Sequence, residues 1–240
     1  MTGFVAGTLV HTERGLVPIQ EIKVGDRVLS RSENNEEEMV YKSVLNISSS
    51  LDSIIFQLCY YNIKNPMSDL QAQILYLAGG NLIWVVKDED GNIIDKWLPV
   101  ENIIGGSQVV LNNGDLAEVD GIQEVLRTNN KNVGDIFDIL NDRPEILVDF
   151  SHDKLEYYYI EHLFRTNESY RYEYHSDIEH NFSDKISMVV GNYNIKVVKE
   201  YFDFFEVRTC PQPYTRSVYN LEVEDHYTYF VGHDGIWVHC

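Results

Sequence analysis

Gly15-Leu-Val-Pro-Ile-Gln-Glu-Ile-Lys-Val-Gly-Asp-Arg-Val-Leu-Ser30 carries the fold of this chain in miniature. Pro18 suits the first position of a short helical turn, which the spacing predicts through Ile22. Gly25 centres a tight turn, and Arg27 to Ser30 then reads as a strand entering a core. The same grammar returns downstream. Pro18-Ile-Gln-Glu-Ile-Lys-Val-Gly-Asp-Arg-Val-Leu29 aligns without gaps on Pro99-Val-Glu-Asn-Ile-Ile-Gly-Gly-Ser-Gln-Val-Val110. One repeat at one offset is too few for a solenoid. It predicts two related halves packed about a pseudo-twofold axis.

Working outward, short apolar runs between turn signals predict strands at 53–60, 72–77, 82–86, 195–198 and 218–223. Lys87-Asp-Glu-Asp-Gly-Asn92 predicts a hairpin turn, with Gly91 supplying a positive φ. No long amphipathic helix is evident, so the fold class is all-β. The acidic run from Ser32 to Glu38 reads as a solvated loop. From about 129 to 210 the character changes: Tyr157-Tyr-Tyr159 and Tyr170-Arg-Tyr-Glu-Tyr174 sit among charges. With no Pro/Gly/Ser-rich linker around it, this segment reads as a Tyr-rich insertion within a single domain spanning 1–240. Its tyrosines fit strands first and a binding surface second.

The 240 residues are enough for one sizeable core, and 38 Asp and Glu against 19 Lys and Arg give a net charge of −19. Such a surface repels phosphate backbones and anionic lipid, so neither nucleic acid nor membrane is an expected partner. The three cysteines, Cys59, Cys210 and Cys240, form no CxxC pair and no disulfide framework. No cofactor or metal is expected. The first residues carry no basic or apolar leader pattern, and no apolar run reaches membrane-span length. A bacterial protein is expected, cytoplasmic as given or part of a larger exported one.

Two terminal blocks carry a resemblance. The first is Gly3-Phe-Val-Ala-Gly-Thr-Leu-Val-His-Thr12 with 15–30 behind it. The second is Val218-Tyr-Asn-Leu-Glu-Val-Glu-Asp-His-Tyr-Thr-Tyr-Phe-Val-Gly232 running into Asp234-Gly-Ile-Trp-Val-His239. With a middle block from Leu77 to Val110, they resemble a Hint (hedgehog/intein) domain of the bacterial pretoxin kind found in polymorphic toxin proteins. The resemblance implies a fold of two pseudo-twofold-related β subdomains and self-cleavage. In that chemistry a first Cys or Ser attacks the preceding carbonyl, and a Thr-x-x-His element polarises the bond. A late His assists, and a terminal Asn cyclises beside its own His. The fold gathers both chain ends, which supplies the effective molarity.

Position by position, this chain departs from that pattern. Gly3 stands where the nucleophile precedes Phe-Val-Ala-Gly-Thr; deletion of the Cys gives the same string. Ala78-Gly-Gly-Asn81 replaces Thr-x-x-His, and neither side chain does the same work: Ala78 cannot donate and Asn81 cannot exchange a proton near neutral pH. Tyr227 takes the assisting His position. The adjacent His226, if on a strand, points to the opposite face. His239 runs into Cys240 where Asn is expected. The expected site is therefore vestigial, with no catalytic residue intact: Gly3, Ala78, Asn81, Tyr227, His226, His239 and Cys240.

Other candidates read as structure. His239 and Cys240 are the last reactive pair, with a frayed terminal thiol as the simpler expectation. His226, His233 and His239 lack the spacing of a zinc site. His175 and His180 follow no ligand pattern, and His11 reads as a hydrogen-bonded scaffold residue. Asp149, Asp153 and Glu156 fit a solvated face. Two functions follow: an inactive self-cleavage module whose partners are flanking toxin or delivery segments, or a non-catalytic binding protein of immunity or decoy type directed at a separate toxin.

Overall fold

The computed structural model describes residues 2–33, 39–64, 73–136, 146–151 and 209–240, and the strand backbones at 156–159, 163–166, 169–172 and 195–197. The described residues fall into two compact units.

The first unit holds β1 (Leu9–Thr12), β2 (Gly15–Pro18), β3 (Arg27–Arg31), β4 (Met39–Asn62), β5 (Gln73–Ala78), β6 (Leu82–Lys87), β7 (Ile93–Pro99), β8 (Gln108–Val110) and β9 (Leu116–Glu124). The second unit holds β10 (Leu126–Thr128), β11 (Val133–Ile136), β12 (Ile146–Asp149), β13 (Glu156–Tyr159), β14 (Leu163–Thr166), β15 (Ser169–Tyr172), β16 (Ile195–Val197) and β17 (Thr209–Pro213). The chain then returns to the first unit with β18 (Thr215–Val223), β19 (Thr228–Val231) and β20 (Ile236–His239). The all-β expectation holds.

In the first unit one sheet runs β18-β4-β3-β1-β19-β20-β6-β8-β9, and β9 pairs back onto β4. Alternation decides what each strand buries. Along β6, Ile83 and Val85 enter the main core while Trp84 faces a second cluster. β19 and β20 are buried on both faces. Tyr229, Val231, Ile236 and Val238 join the main core, and Phe230 and Trp237 join the second.

The repeat is present bond for bond. Single 3-10 turns follow Pro18 and Pro99, at Ile19–Glu21 and Val100–Asn102. Gly25 and Gly106 adopt φ of 90° and 95°, a region open to glycine. The Gly25 N–H donates to Val44 O at 2.8 Å, and the Gly106 N–H to Val119 O at 2.7 Å. The equivalence extends upstream in a different register. The Thr8 N–H donates to Val5 O and the Asn81 N–H to Ala78 O. The Ile19 N–H reaches Thr8 O and the Val100 N–H reaches Asn81 O, both at 2.8 Å. The Val5 N–H donates to Tyr76 O, and the Ala78 N–H to Gly3 O. Gly3 to Leu9 thus matches Tyr76 to Leu82, and Phe4 and Leu77 bridge each other between the halves.

The second unit is a six-stranded sheet ordered β16-β13-β12-β11-β10-β17 and a β14–β15 hairpin. Tyr157, Tyr158, Tyr159, Tyr170 and Tyr172 lie on strands. Tyr174, Asp153, His175 and His180 lie outside the described residues, as do 34–38 of the acidic run. Asp149 accepts the Ser151 N–H at 2.8 Å, a turn-closing role.

Candidate functional site

Strand β18 gathers both ends of the chain. Phe4 pairs with Tyr219 through two 2.8 Å main-chain bonds. One residue on, the Asn220 amide donates to the Thr2 hydroxyl at 3.0 Å and accepts the Tyr229 O–H at 2.7 Å. At the end of the strand, the Val223 main chain hydrogen-bonds the Cys240 thiol. This convergence is what proximity chemistry at the two ends needs.

On the other side of Gly3 lies the Ala78–Asn81 turn. Gly3 N–H donates to Asn81 Oδ1 at 2.9 Å, and Asn81 Nδ2 donates back to Gly3 O at 2.6 Å. The second hydrogen of that amide goes to Ala78 O at 2.9 Å. Asn81 is fully buried, and its donors are spent. Ala78, mute through its side chain, contributes its main-chain N–H to Gly3 O at 2.9 Å. Gly3 itself sits at φ 137°, where a side chain is strained. A Cβ there would lie 2.8 Å from both Tyr219 O and Val218 Cγ2. The sequence-predicted trio Gly3, Ala78 and Asn81 is therefore one contact set, built as a two-sided clamp on a glycine peptide.

The closing end corrects two expectations. His226 and Tyr227 do not alternate on a strand; β19 begins only at Thr228. Tyr227 has φ 55° and is half exposed, while His226 Nδ1 lies 3.2 Å from the Ser30 hydroxyl. Ser30 is fully buried, so this Ser–His contact packs a turn and offers no exposed nucleophile. Cys240, expected to fray, is tied down: its N–H donates to Tyr227 O at 2.7 Å and its side chain packs on the main core. Burial, helped by the Glu222 charge and opposed by the Val223 hydrogen bond, pushes its thiol up to about 12. Such a thiol is almost wholly protonated at neutral pH and a poor nucleophile.

His239 does not serve that thiol. Its Nδ1 lies 3.1 Å from the Cys240 carbonyl oxygen, and its Nε2 lies 3.6 Å from Glu33 Oε1. Trp97 packs edge-on to the ring at 5.4 Å and donates its indole N–H to the same Glu33 oxygen at 2.9 Å. Glu33 and Trp97 carry no signal in the sequence, and neither do Asn220 and Tyr229, which sit among other polar residues of the late block.

His11 is the scaffold residue expected. Its Nε2 meets Gly232 O at 2.9 Å and its Nδ1 meets Asn112 Nδ2 at 3.0 Å, which fits a neutral ring protonated on Nε2. Burial holds its pKa below 6.5. His233 sits exposed beside Asp234. Among the described residues, no group of three or more His, Cys, Asp or Glu could hold a metal, and no helix is long and apolar enough to cross a membrane.

No family model matches the chain, and no curated protein matches it. Among solved structures, the bacterial intein-like domain from Clostridium thermocellum is similar at 15% identity and a TM-score of 0.53, covering 100% of this chain and 99% of that one. The DnaB intein from Synechocystis is a fainter likeness, at 8% identity and 0.48, with 100% and 99% covered. So is the DnaX mini intein from Spirulina platensis, at 12% and 0.47, with 99% of each covered. The first likeness is one of fold: this chain has the intein-like Hint fold.

Proposed function

We propose that this chain, built on the intein-like Hint fold, is the self-processing module of a polymorphic toxin system in which the upstream cleavage step is closed. Its partners are then the toxin or delivery segments of the same polypeptide. The observation that carries this reading is the Gly3–Asn81 clamp. Upstream cleavage needs a side-chain nucleophile at the first position and a group that exchanges protons beside the peptide. Gly3 supplies no side chain. Asn81 holds the Gly3 peptide by its N–H and its carbonyl and keeps no proton to exchange. Downstream cleavage by cyclisation needs a side-chain amide, and Cys240 has none.

Reporter segments fused to both ends, followed on gels with and without added thiol, test the reading. The expected result is an intact fusion. Thiol-dependent release of the upstream reporter would falsify it. Restoration is the converse test. A Cys inserted between Gly3 and Phe4, with Ala78→Thr and Asn81→His, rebuilds the first step without asking Gly3 for a Cβ. Upstream release is expected to return first.

A further inference from the structure

We propose that Glu33 is a positioning residue for His239, and that together they keep the downstream half of the site aligned on the Cys240 carbonyl. The proposal rests on the Hint reading above. His239 ends β20, between two oxygen acceptors: the Glu33 carboxylate on the Nε2 side and the Cys240 carbonyl on the Nδ1 side. Glu33 is itself fixed by the Trp97 indole, and Trp97 also walls the ring. The three contacts together orient the imidazole. Both ring nitrogens face oxygen acceptors, so both contacts are made only by the imidazolium, whose two N–H groups donate, and an N–H on a carbonyl oxygen draws electrons from its carbon. The 3.6 Å separation is ion-pair range; catalytic contacts commonly tighten only in the reacting complex.

The thiol of Cys240 is hydrogen-bonded by the Val223 main chain. The group lacking is a side chain able to attack the polarised carbon. Asparagine at 240 would supply it. Its amide nitrogen bonds to its own main-chain carbonyl carbon, and the carbon–nitrogen bond to the next residue breaks. The departing amine takes up the proton that the attacking amide sheds, so no co-reactant is needed.

The test uses the full chain followed by a reporter segment after residue 240. Cys240→Asn is expected to release the reporter. Adding Glu33→Gln, whose amide oxygen can still accept from Trp97, should slow release roughly 10–100-fold, the range seen when metal-bound histidines lose the partner that orients them. Glu33→Asp should recover part of the rate. Long-range nitrogen–proton spectra of His239 in the chain with native Cys240 give a second readout: Glu33→Gln should move both ring resonances. Equal release rates, or superimposable His239 resonances, would overturn the role of Glu33. An uncleaved Cys240→Asn chain whose His239 resonances still respond to Glu33 would keep the positioning role and instead remove the Hint reading of this end.

Discussion

Replacing Gly3 by alanine isolates the feature on which the closed upstream site depends. The backbone at φ 137° lies where a side chain costs about 1–3 kcal/mol. The new Cβ also meets Tyr219 O and Val218 Cγ2 at 2.8 Å and Val218 Cβ at 3.0 Å. The first of these is a main-chain atom of the strand that pairs Phe4, so relief requires moving the Phe4–Tyr219 ladder; overpacking of this kind costs about 1–3 kcal/mol. The two effects sum to about 4 kcal/mol, or roughly 8–16 °C in midpoint for a chain of this size. Gly25→Ala is the control. It shares a positive φ, 90°, but nothing lies within 4 Å of its Cβ, so only the backbone contribution remains. Thermal unfolding followed by far-ultraviolet circular dichroism reads both. If Gly3→Ala costs no more than Gly25→Ala, the clamp is looser than described and glycine at this position has no steric explanation.

Three further outcomes follow from the same geometry. Asn81→Ala removes three buried hydrogen bonds and strands the Gly3 N–H, a loss of about 3–4 kcal/mol by denaturant titration; combined with Gly3→Ala the losses should fall short of additive, because both break one joint. For His11 the folded pKa is lowered by burial, so the unfolded chain takes up a proton first. Stability from this residue is complete above about pH 6.5 and falls as the pH drops toward the folded value, by at most about 1.4 kcal/mol per pH unit. His11→Gln should flatten that part of the profile relative to the native chain. The Cys240 thiol, pushed up to about 12, should resist a disulfide reagent at pH 7 in the folded chain and react on unfolding, read by mass spectrometry at that site.

What the sequence made legible was local. Pro18 and Pro99, Gly25 and Gly106 act through their own backbone preferences, so both 3-10 turns and both glycine turns could be read from spacing. Short apolar runs between turn signals did the same for β3 and β6. The upstream half of the repeat stayed hidden because its offset differs: the Leu82–Pro99 hairpin is eight residues longer than its Leu9–Pro18 counterpart. Only a glycine and a leucine persist between Val5-Ala-Gly-Thr-Leu9 and Ala78-Gly-Gly-Asn-Leu82. Gly3, Ala78 and Asn81 stand out in the sequence one by one, yet their relation was not legible, since the Gly3–Asn81 bonds span 78 positions. Glu33 was lost inside an acidic run that reads as a solvated loop. The turn at 224–227 misled for a local reason, because Asp225 and Tyr227 adopt positive φ without being glycine.

The two ends differ in kind under the proposed reading. A processing site that had merely lost one group would leave that group's former partners without hydrogen bonds. At the upstream end both Asn81 donors and its acceptor are engaged, and the glycine they hold excludes a side chain. Changing either residue alone conflicts with the other: a Cβ at position 3 pushes the peptide off β18, and loss of Asn81 leaves a buried N–H unpaired. Return to activity there requires an inserted residue and at least two substitutions. At the downstream end His239 still addresses the Cys240 carbonyl, braced by Glu33 and Trp97. One substitution, Cys240→Asn, replaces what is missing. The downstream step should therefore be recoverable alone, and recovering it should leave the upstream junction intact.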